Sequence, residues 1–149
     1  MRFFFYGTLT HEQTNSIAAA VRDSLIQPRR AYVRGALYAI ESARGWYPAL
    51  DPRKAGRVWG FAYTAGPGFG RETLALLDRY ENYYPRNPRQ SDYLRRRIAL
   101  RLAGGGRMLA HAYLWNRPVS RSMRPVPHGD FTRFLAEQGL PVLWSGLED

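Results

Sequence analysis

The chain has 149 residues, 45% of them hydrophobic and 14% aromatic, which predicts a single globular domain over residues 1–149 with an apolar core. The absence of cysteine excludes disulfides, thiolate nucleophiles and cysteine-ligated metals, and no stretch reaches the roughly 18 apolar residues of a membrane span. A formal net charge of +10 is compatible with a nucleic-acid or acidic partner, but the sequence contains no recognisable nucleic-acid-binding motif.

The positive charge comes almost entirely from arginine, because Lys54 is the only lysine among the 22 basic residues. The densest group of arginines extends over a predicted loop and strand, and it suits an anionic small substrate as well as a nucleic acid. We therefore do not expect a nucleic-acid partner. The arginine group consists of Arg86, Arg89, Arg95, Arg96, Arg97 and Arg101.

The opening MRFFFYG is too short for a signal peptide, so we expect a cytoplasmic protein without a membrane partner.

Taken in chain order, the predicted elements are typical of an α+β fold with a mixed, mostly antiparallel sheet. An apolar run predicts a buried strand over residues 2–6, and a glycine turn over residues 7–9 follows it. Residues 11–25 carry apolar side chains at helical spacing and predict a helix. Residues 30–40 are rich in β-formers, and Gly35 within them indicates a bulge or a close approach of two backbones.

The second half of the chain contains the clearest helix, over residues 71–81. Before it, the two prolines of residues 46–52 predict a loop, and residues 57–64 predict a strand. The glycines of residues 66–70 lack the lysine and hydroxyl that a phosphate loop needs, so we interpret this segment as a linker. Further elements are a loop over residues 85–92, a hairpin of strands 93–102 and 108–115, and a helix over 130–138 with Asp130 as its cap and Gly139 at its end.

Glu81 is an acidic residue on the apolar side of the predicted helix over 71–81. At about 100° per residue it lies about 40° from Leu77, whereas Asp78 falls on the polar face. It is also the last helical residue before Asn82, a candidate left-handed cap. Burial and the helix C-terminus both oppose ionisation, so Glu81 is a candidate general acid or base near neutral pH. A glutamate that turns into solvent or pairs with an arginine is the other interpretation of this pattern.

The other candidate catalytic groups lack the pattern that their chemistry requires. The three histidines are far apart in sequence and show no ligand spacing, and no serine has the context of a nucleophile elbow. Asp78 and Glu81 are predicted to face opposite sides of one helix, so they do not form the carboxylate pair of a glycosidase.

A series of short motifs in a fixed order resembles the γ-glutamylcyclotransferase-like family, and in particular its γ-glutamylamine or AIG2-like branch. The most informative pair is YGTL at residues 6–9 with LLDRYE at residues 76–81. The other motifs are GALY at 35–38, YPAL at 47–50, VWGFAY at 58–63, YLR at 93–95, AY at 112–113 and GDF at 129–131 followed by FL at 134–135.

The resemblance implies a small mixed, mostly antiparallel β-barrel flanked by short helices. It also implies a reaction in which the free α-amino group of a γ-glutamyl amine attacks its own side-chain amide carbonyl, which releases 5-oxoproline and the amine. Neither a metal nor an organic cofactor takes part in that reaction. The resemblance makes Glu81 the general acid and base. The substrate-binding residues that it implies are Tyr6, Gly7, Thr8, Leu9, Tyr47, Pro48, Tyr93, Arg95 and Tyr113.

The same scaffold would also suit a non-catalytic protein that binds an anionic metabolite. The segment after Glu81, NYYPRNPRQSD, is long and arginine-rich, and we expect it to shape the rim of the pocket. The sequence therefore predicts a small-molecule γ-glutamyl substrate without indicating which amine that substrate carries or how many copies of the chain associate.

Overall fold

A closed five-stranded barrel is the centre of the fold in the computed structural model, which describes residues 1–7, 21, 23–43 and 45–140. Within these residues a three-stranded sheet accompanies the barrel, and two short helices are described in full. In chain order the described strands are β1 (Arg2–Phe5), β2 (Leu25–Arg34), β3 (Ala36–Ser42), β4 (Gly45–Asp51), β5 (Arg57–Ala65), β6 (Tyr93–Leu102), β7 (Arg107–Trp115) and β8 (Arg124–Pro125), and the helices are α1 (Arg71–Tyr80) and α2 (Phe131–Glu137), with a 3₁₀ turn at Pro88–Gln90.

The barrel strands neighbour one another in the order β1, β5, β2, β6, β7. A parallel contact between β1 and β7, where Phe3 is paired with His111, closes the ring. The other pairings of the described barrel strands are antiparallel. The second sheet has the order β4, β3, β8, again antiparallel. The α+β class and the mixed, mostly antiparallel barrel that the sequence predicts are confirmed.

Gly35 divides the β-rich stretch over residues 30–40 into two strands of different sheets. A Cβ at this position would lie 2.7 Å from Cδ1 of Leu50 and 2.9 Å from the carbonyl oxygen of Asp51. Only glycine permits this approach, because any side chain would collide with β4. The expected close backbone approach is confirmed, and it is the point at which the chain leaves the barrel for the small sheet.

The short strand β1 contributes side chains to two apolar cores. Phe4 points into the barrel, where it packs with small and branched residues of the surrounding strands. Phe3 and Phe5 point outward and pack with Leu77 of α1 and Tyr63 of β5. The alternation places one core inside the barrel and the other between the barrel and α1, so β1 fixes the helix against the barrel wall.

Most predicted elements of the described chain are present within one residue of their expected bounds, but the loop over residues 46–52 is wrong. These residues form the edge strand β4, in which Pro48 is paired with Ala39. Proline is tolerated there because an edge strand has one side without a partner strand. The prediction from sequence also does not include the two-residue strand β8, because an arginine followed by a proline does not form a strand pattern.

The predicted helix ends agree with the structure where it describes them. Asn82 has a φ of 51°, as expected of a left-handed cap after α1. Asp130 caps α2 by accepting a hydrogen bond from the backbone N–H of Arg133 at 3.1 Å, and Gly139 follows with a φ of 70°. Most of the helix predicted over residues 11–25 lies outside the described residues, and strand β2 already begins at Leu25. No helix within the described ranges is long and apolar enough to cross a membrane.

Gly60 lies where β5 passes closest to β1, and a Cβ there would be 2.1 Å from the carbonyl oxygen of Phe5. We expect Gly60→Ala to lower the free energy of unfolding by about 1–3 kcal/mol, because the backbone of β1 has to move. Gly104→Ala is the matched control, since no atom lies within 4 Å of a Cβ at Gly104. Urea unfolding measures both variants, and the control should change by less than about 0.5 kcal/mol. Equal losses in the two variants would contradict the packing described here.

Candidate active site

A pocket lies where the end of β1, the edge strand β4 and the C-terminal end of α1 meet. It encloses about 470 Å³ including its open mouth. Strands β6 and β7 complete its wall, so five elements far apart in sequence contribute to it. Aromatic side chains predominate, and a single carboxyl group stands among them. The lining residues are Phe4, Phe5, Tyr6, Gly7, Tyr47, Pro48, Tyr80, Glu81, Tyr93 and Tyr113.

Glu81 is the C-cap residue of α1, with a φ of −86° and a ψ of 9°. Glu81 as a whole is half-buried at the pocket, and its carboxyl group lies among apolar and phenolic side chains. Burial raises the pKa of Glu81 to about 8, and the negative charge of Asp78 contributes to the increase. The carboxyl is therefore mostly protonated at neutral pH, with a minor ionised fraction that can accept a proton.

Two tyrosine hydroxyls connect the strands that form the pocket. The hydroxyl of Tyr6 donates a hydrogen bond to the backbone oxygen of Tyr113, which links the end of β1 to β7. The hydroxyl of Tyr93 donates to the backbone oxygen of Pro48 at 2.7 Å, which links β6 to β4. Burial raises the pKa of both Tyr6 and Tyr93 well above the ordinary value, so both phenols are neutral at physiological pH. The wall is therefore uncharged and held by hydrogen bonds.

Gly7 lies two residues after the end of β1 and packs directly against β4. A Cβ at Gly7 would lie 2.4 Å from Cγ of Pro48. A side chain at this position would thus push β1 away from β4 at the pocket. Because glycine has no side chain, its main chain itself forms this part of the pocket surface.

The structure brings together most, but not all, of the residues that the sequence assigns to the site. Thr8 and Leu9 lie outside the described residues. Arg95 is not among the residues that line the pocket, and its guanidinium instead contacts Asp78. Those that do line the pocket are Glu81, Tyr6, Gly7, Tyr47, Pro48, Tyr93 and Tyr113.

The expectation that Asp78 faces outward is wrong. Asp78 is only 7% exposed. Its Oδ1 accepts a hydrogen bond from Nε of Arg95 at 2.9 Å and another from the hydroxyl of Tyr113 at 2.6 Å. The prediction from helical spacing uses the residues of the helix alone. A carboxylate can be buried wherever neighbouring strands supply a cation and a hydrogen-bond donor. Here β6 and β7 supply them.

Three lining residues are missing from the sequence-based assignment. Phe4 and Phe5 reach the pocket from the strand that ends at Tyr6, and Tyr80 reaches it from α1. The signal for Tyr80 is its position next to Glu81 in the same motif. Phe4 and Phe5 carry only the signal of a buried strand, because an aromatic residue in a core and one in a pocket wall look alike in sequence.

The fold divides the arginine group that is dense in the sequence. Arg95, Arg96 and Arg97 follow one another in β6, so neighbouring side chains point to opposite faces of the strand. Arg95 is engaged by Asp78, and both Arg96 and Arg97 are exposed. Within the described ranges, no three histidine or acidic side chains are grouped as metal ligands would be.

The fold and the pocket define a small mixed barrel with one carboxyl group in a tyrosine-lined cavity. A model of the family described as gamma-glutamyl cyclotransferase, AIG2-like, matches residues 3–133. The chain belongs to this family. The family predicted from the short motifs is therefore confirmed, and the match extends from β1 into α2.

Solved structures show the same fold at low sequence identity. YkqA from Bacillus subtilis is 18% identical with a TM-score of 0.60, over 93% of this chain and 42% of that protein, so the chain spans less than half of its length. An AIG2-like protein from Mus musculus is 17% identical with a TM-score of 0.59, over 87% of this chain and 86% of the other. A gamma-glutamyl cyclotransferase is 15% identical with a TM-score of 0.53, over 95% and 81%. No curated protein gives a significant sequence match.

Glu81 is expected to make the free energy of unfolding depend on pH. Its pKa rises from an ordinary value of 4.5 to about 8 on folding. Below pH 4.5 Glu81 is protonated in both the folded and the unfolded state, so its ionisation does not lower the free energy of unfolding. Between pH 4.5 and 8 the unfolded chain ionises first, so stability falls by up to about 1.4 kcal/mol per pH unit, and above pH 8 the loss is complete.

Glu81→Gln removes this loss because an amide does not ionise. The variant should match the parent protein near pH 4.5 and exceed its stability above pH 8, by an amount on the order of a few kcal/mol. Urea unfolding of both proteins from pH 4.5 to pH 9 gives the difference curve. A constant difference across this range would show that the carboxyl of Glu81 titrates normally in the folded protein.

Proposed function

We propose that the protein is a cofactor-free cyclotransferase that releases 5-oxoproline from a γ-glutamyl amine, with Glu81 as general acid and base. The observation that carries the proposal is the Glu81 carboxyl, whose pKa is raised to about 8, inside a tyrosine-lined pocket. Membership in the gamma-glutamyl cyclotransferase, AIG2-like family supports it, as does the likeness to a structure named gamma-glutamyl cyclotransferase.

The first step of the proposed reaction is proton removal from the α-ammonium group of the substrate. The ionised Glu81 carboxylate accepts this proton, and a base with a pKa near 8 is a good match for an ammonium group. The free amine then attacks the side-chain amide carbonyl of the same molecule, and a new carbon–nitrogen bond closes a five-membered ring. Because nucleophile and carbonyl belong to one substrate, holding the chain folded supplies much of the rate increase.

The second step expels the amine. The protonated Glu81 donates its proton to the departing nitrogen as the original amide bond breaks. It then accepts the remaining excess proton of the ring nitrogen and passes it to the released amine, which returns Glu81 to its ionised form. In total two protons move from the attacking nitrogen to the departing one, which leaves a neutral lactam and an ammonium product. One carboxyl group that exchanges protons near neutral pH is sufficient for both transfers.

In this proposal the main chain that follows β1 holds the substrate, and the phenols of the wall enclose it. The main chain from Tyr6 to Gly7 lines the pocket and would offer amides to the substrate carboxylate or to the developing oxyanion. Thr8 and Leu9, which follow Gly7 in the sequence, are proposed to extend the same contacts. The hydroxyls of Tyr6 and Tyr93 are committed to backbone oxygens, so these residues shape the cavity and keep it uncharged.

The test is a panel of γ-glutamyl amines, γ-glutamyl amino acids and γ-glutamyl-lysine, assayed for 5-oxoproline at pH 6 to 9. Glu81→Gln should lower turnover by roughly 100-fold or more, because it keeps the shape but removes the proton acceptor. Glu72→Gln is the control, since Glu72 is an exposed residue in the first turn of the same helix. It should retain full turnover. Undiminished turnover in Glu81→Gln would refute the role of Glu81.

The pH dependence gives an independent measure. For the parent protein, kcat/KM should rise with pH and level off above about pH 8, because the ionised carboxyl is the form that accepts the proton. A profile that is flat from pH 6 to 9 would contradict Glu81 as the base. If the panel binds without turnover, the protein is instead a binding protein for γ-glutamyl compounds.

A further inference from the structure

Asp78 lies one helical turn before Glu81 and is held by two strands of the barrel. Nε of Arg95 on β6 donates to its Oδ1 at 2.9 Å, and the hydroxyl of Tyr113 on β7 donates to the same oxygen at 2.6 Å. A second guanidinium nitrogen of Arg95 lies 3.4 Å from Oδ2. The carboxylate is 9% exposed and the Arg95 side chain 19%, so water does not weaken this contact as it would on the surface.

We propose that Asp78 is a positioning residue that fixes the location and the charge state of the Glu81 carboxyl through Tyr113 and Arg95. The inference rests on the proposed function, because it concerns the group that acts there as acid and base. Residues three apart on a helix are surface neighbours, with Cβ atoms about 5–6 Å apart. A contact that holds Asp78 to β6 and β7 therefore also fixes the last turn of α1 and its C-cap residue Glu81.

The same contacts continue to the opposite wall of the pocket. Tyr113 is bonded to Asp78 through its hydroxyl and to the hydroxyl of Tyr6 through its backbone oxygen. Tyr113 of β7 thus links the helix that is capped by Glu81 to Tyr6, the residue that follows β1. Displacing Asp78 would change the spacing between these two walls, although Asp78 does not itself line the pocket.

Asp78 also acts on Glu81 through its charge. After burial, the negative charge of Asp78 is the second cause of the raised pKa of Glu81. Arg95 opposes this effect because its guanidinium neutralises the Asp78 carboxylate at close range. The removal of either charge should therefore move the ionisation of Glu81, and the two removals should move it in opposite directions.

The other described groups around Glu81 add little to the effect that the charges of Asp78 and Arg95 have on its pKa. Burial raises the pKa of the phenols at positions 6, 93 and 113, so these are neutral. On β7, burial and the nearby Arg95 and Arg97 lower the pKa of His111, which keeps the imidazole neutral. Asp92, just before β6, is paired with Arg117. The phenols that line the pocket together with Glu81 are those of Tyr6, Tyr47, Tyr80, Tyr93 and Tyr113.

The experiment is a pH titration of the Glu81 carboxyl by NMR in protein labelled with ¹³C at glutamate carboxyls, with Glu81→Gln to assign the signal. Asp78→Asn keeps an acceptor for Tyr113 but removes the charge, so the pKa of Glu81 should fall by about one pH unit. Arg95→Gln should raise it. Glu72→Gln removes a negative charge about 13 Å along the same helix and should change it by less than about 0.2.

An unchanged Glu81 titration in Asp78→Asn, or changes of the same sign in Asp78→Asn and Arg95→Gln, would overturn the proposal. A purely structural role would lower the stability of both variants without opposite changes in the titration. If Asp78→Asn does not fold, Arg95→Gln decides alone, with an increase expected and no change overturning the proposal. The titration needs no turnover, so a parent protein that releases no 5-oxoproline would refute the proposed function and leave this result intact.

Discussion

The parallel contact between β1 and β7 is the constraint on which the rest of the structure depends. It closes a ring whose other described pairings are antiparallel, and it does so with a strand of only four residues. Strand β1 fits into the ring because Gly60 has no side chain, so the backbone of β5 can pack directly against the backbone of β1 at Phe5. Closure places the end of β1 beside β7, and only then can the hydroxyl of Tyr6 reach the backbone of Tyr113.

The pocket is a consequence of this closure together with the position of α1. The outward-facing phenylalanines of β1 pack against Leu77, which brings the C-terminal end of the helix over the barrel wall. A carboxyl at that end is surrounded by aromatic groups, and burial is accordingly the leading cause of the raised pKa of Glu81. The chemistry proposed for this carboxyl follows from where the core places it, since the described residues that line the pocket carry no positive charge to stabilise the ionised form.

The sequence predicts most of this fold because its strands and helices carry strong local patterns. The helix over residues 71–81 and the position of Glu81 on its apolar side can be read from spacing alone. The prediction that Asp78 faces outward fails for a different reason, because its partners Arg95 and Tyr113 lie 17 and 35 residues further along the chain. The wrong prediction at Pro48 has a similar cause. Proline favours a loop, but an edge strand tolerates it, and which strand lies at the edge depends on how the whole sheet is assembled.

Pro48 has a further consequence for what can bind beside the pocket. An exposed strand edge attracts extended peptides, which add to it through alternating main-chain hydrogen bonds. At Pro48 the edge of β4 has no N–H to donate, and its carbonyl oxygen already accepts a hydrogen bond from Tyr93. Addition of a further strand to β4 is therefore blocked at Pro48, one of the residues that line the pocket together with Glu81.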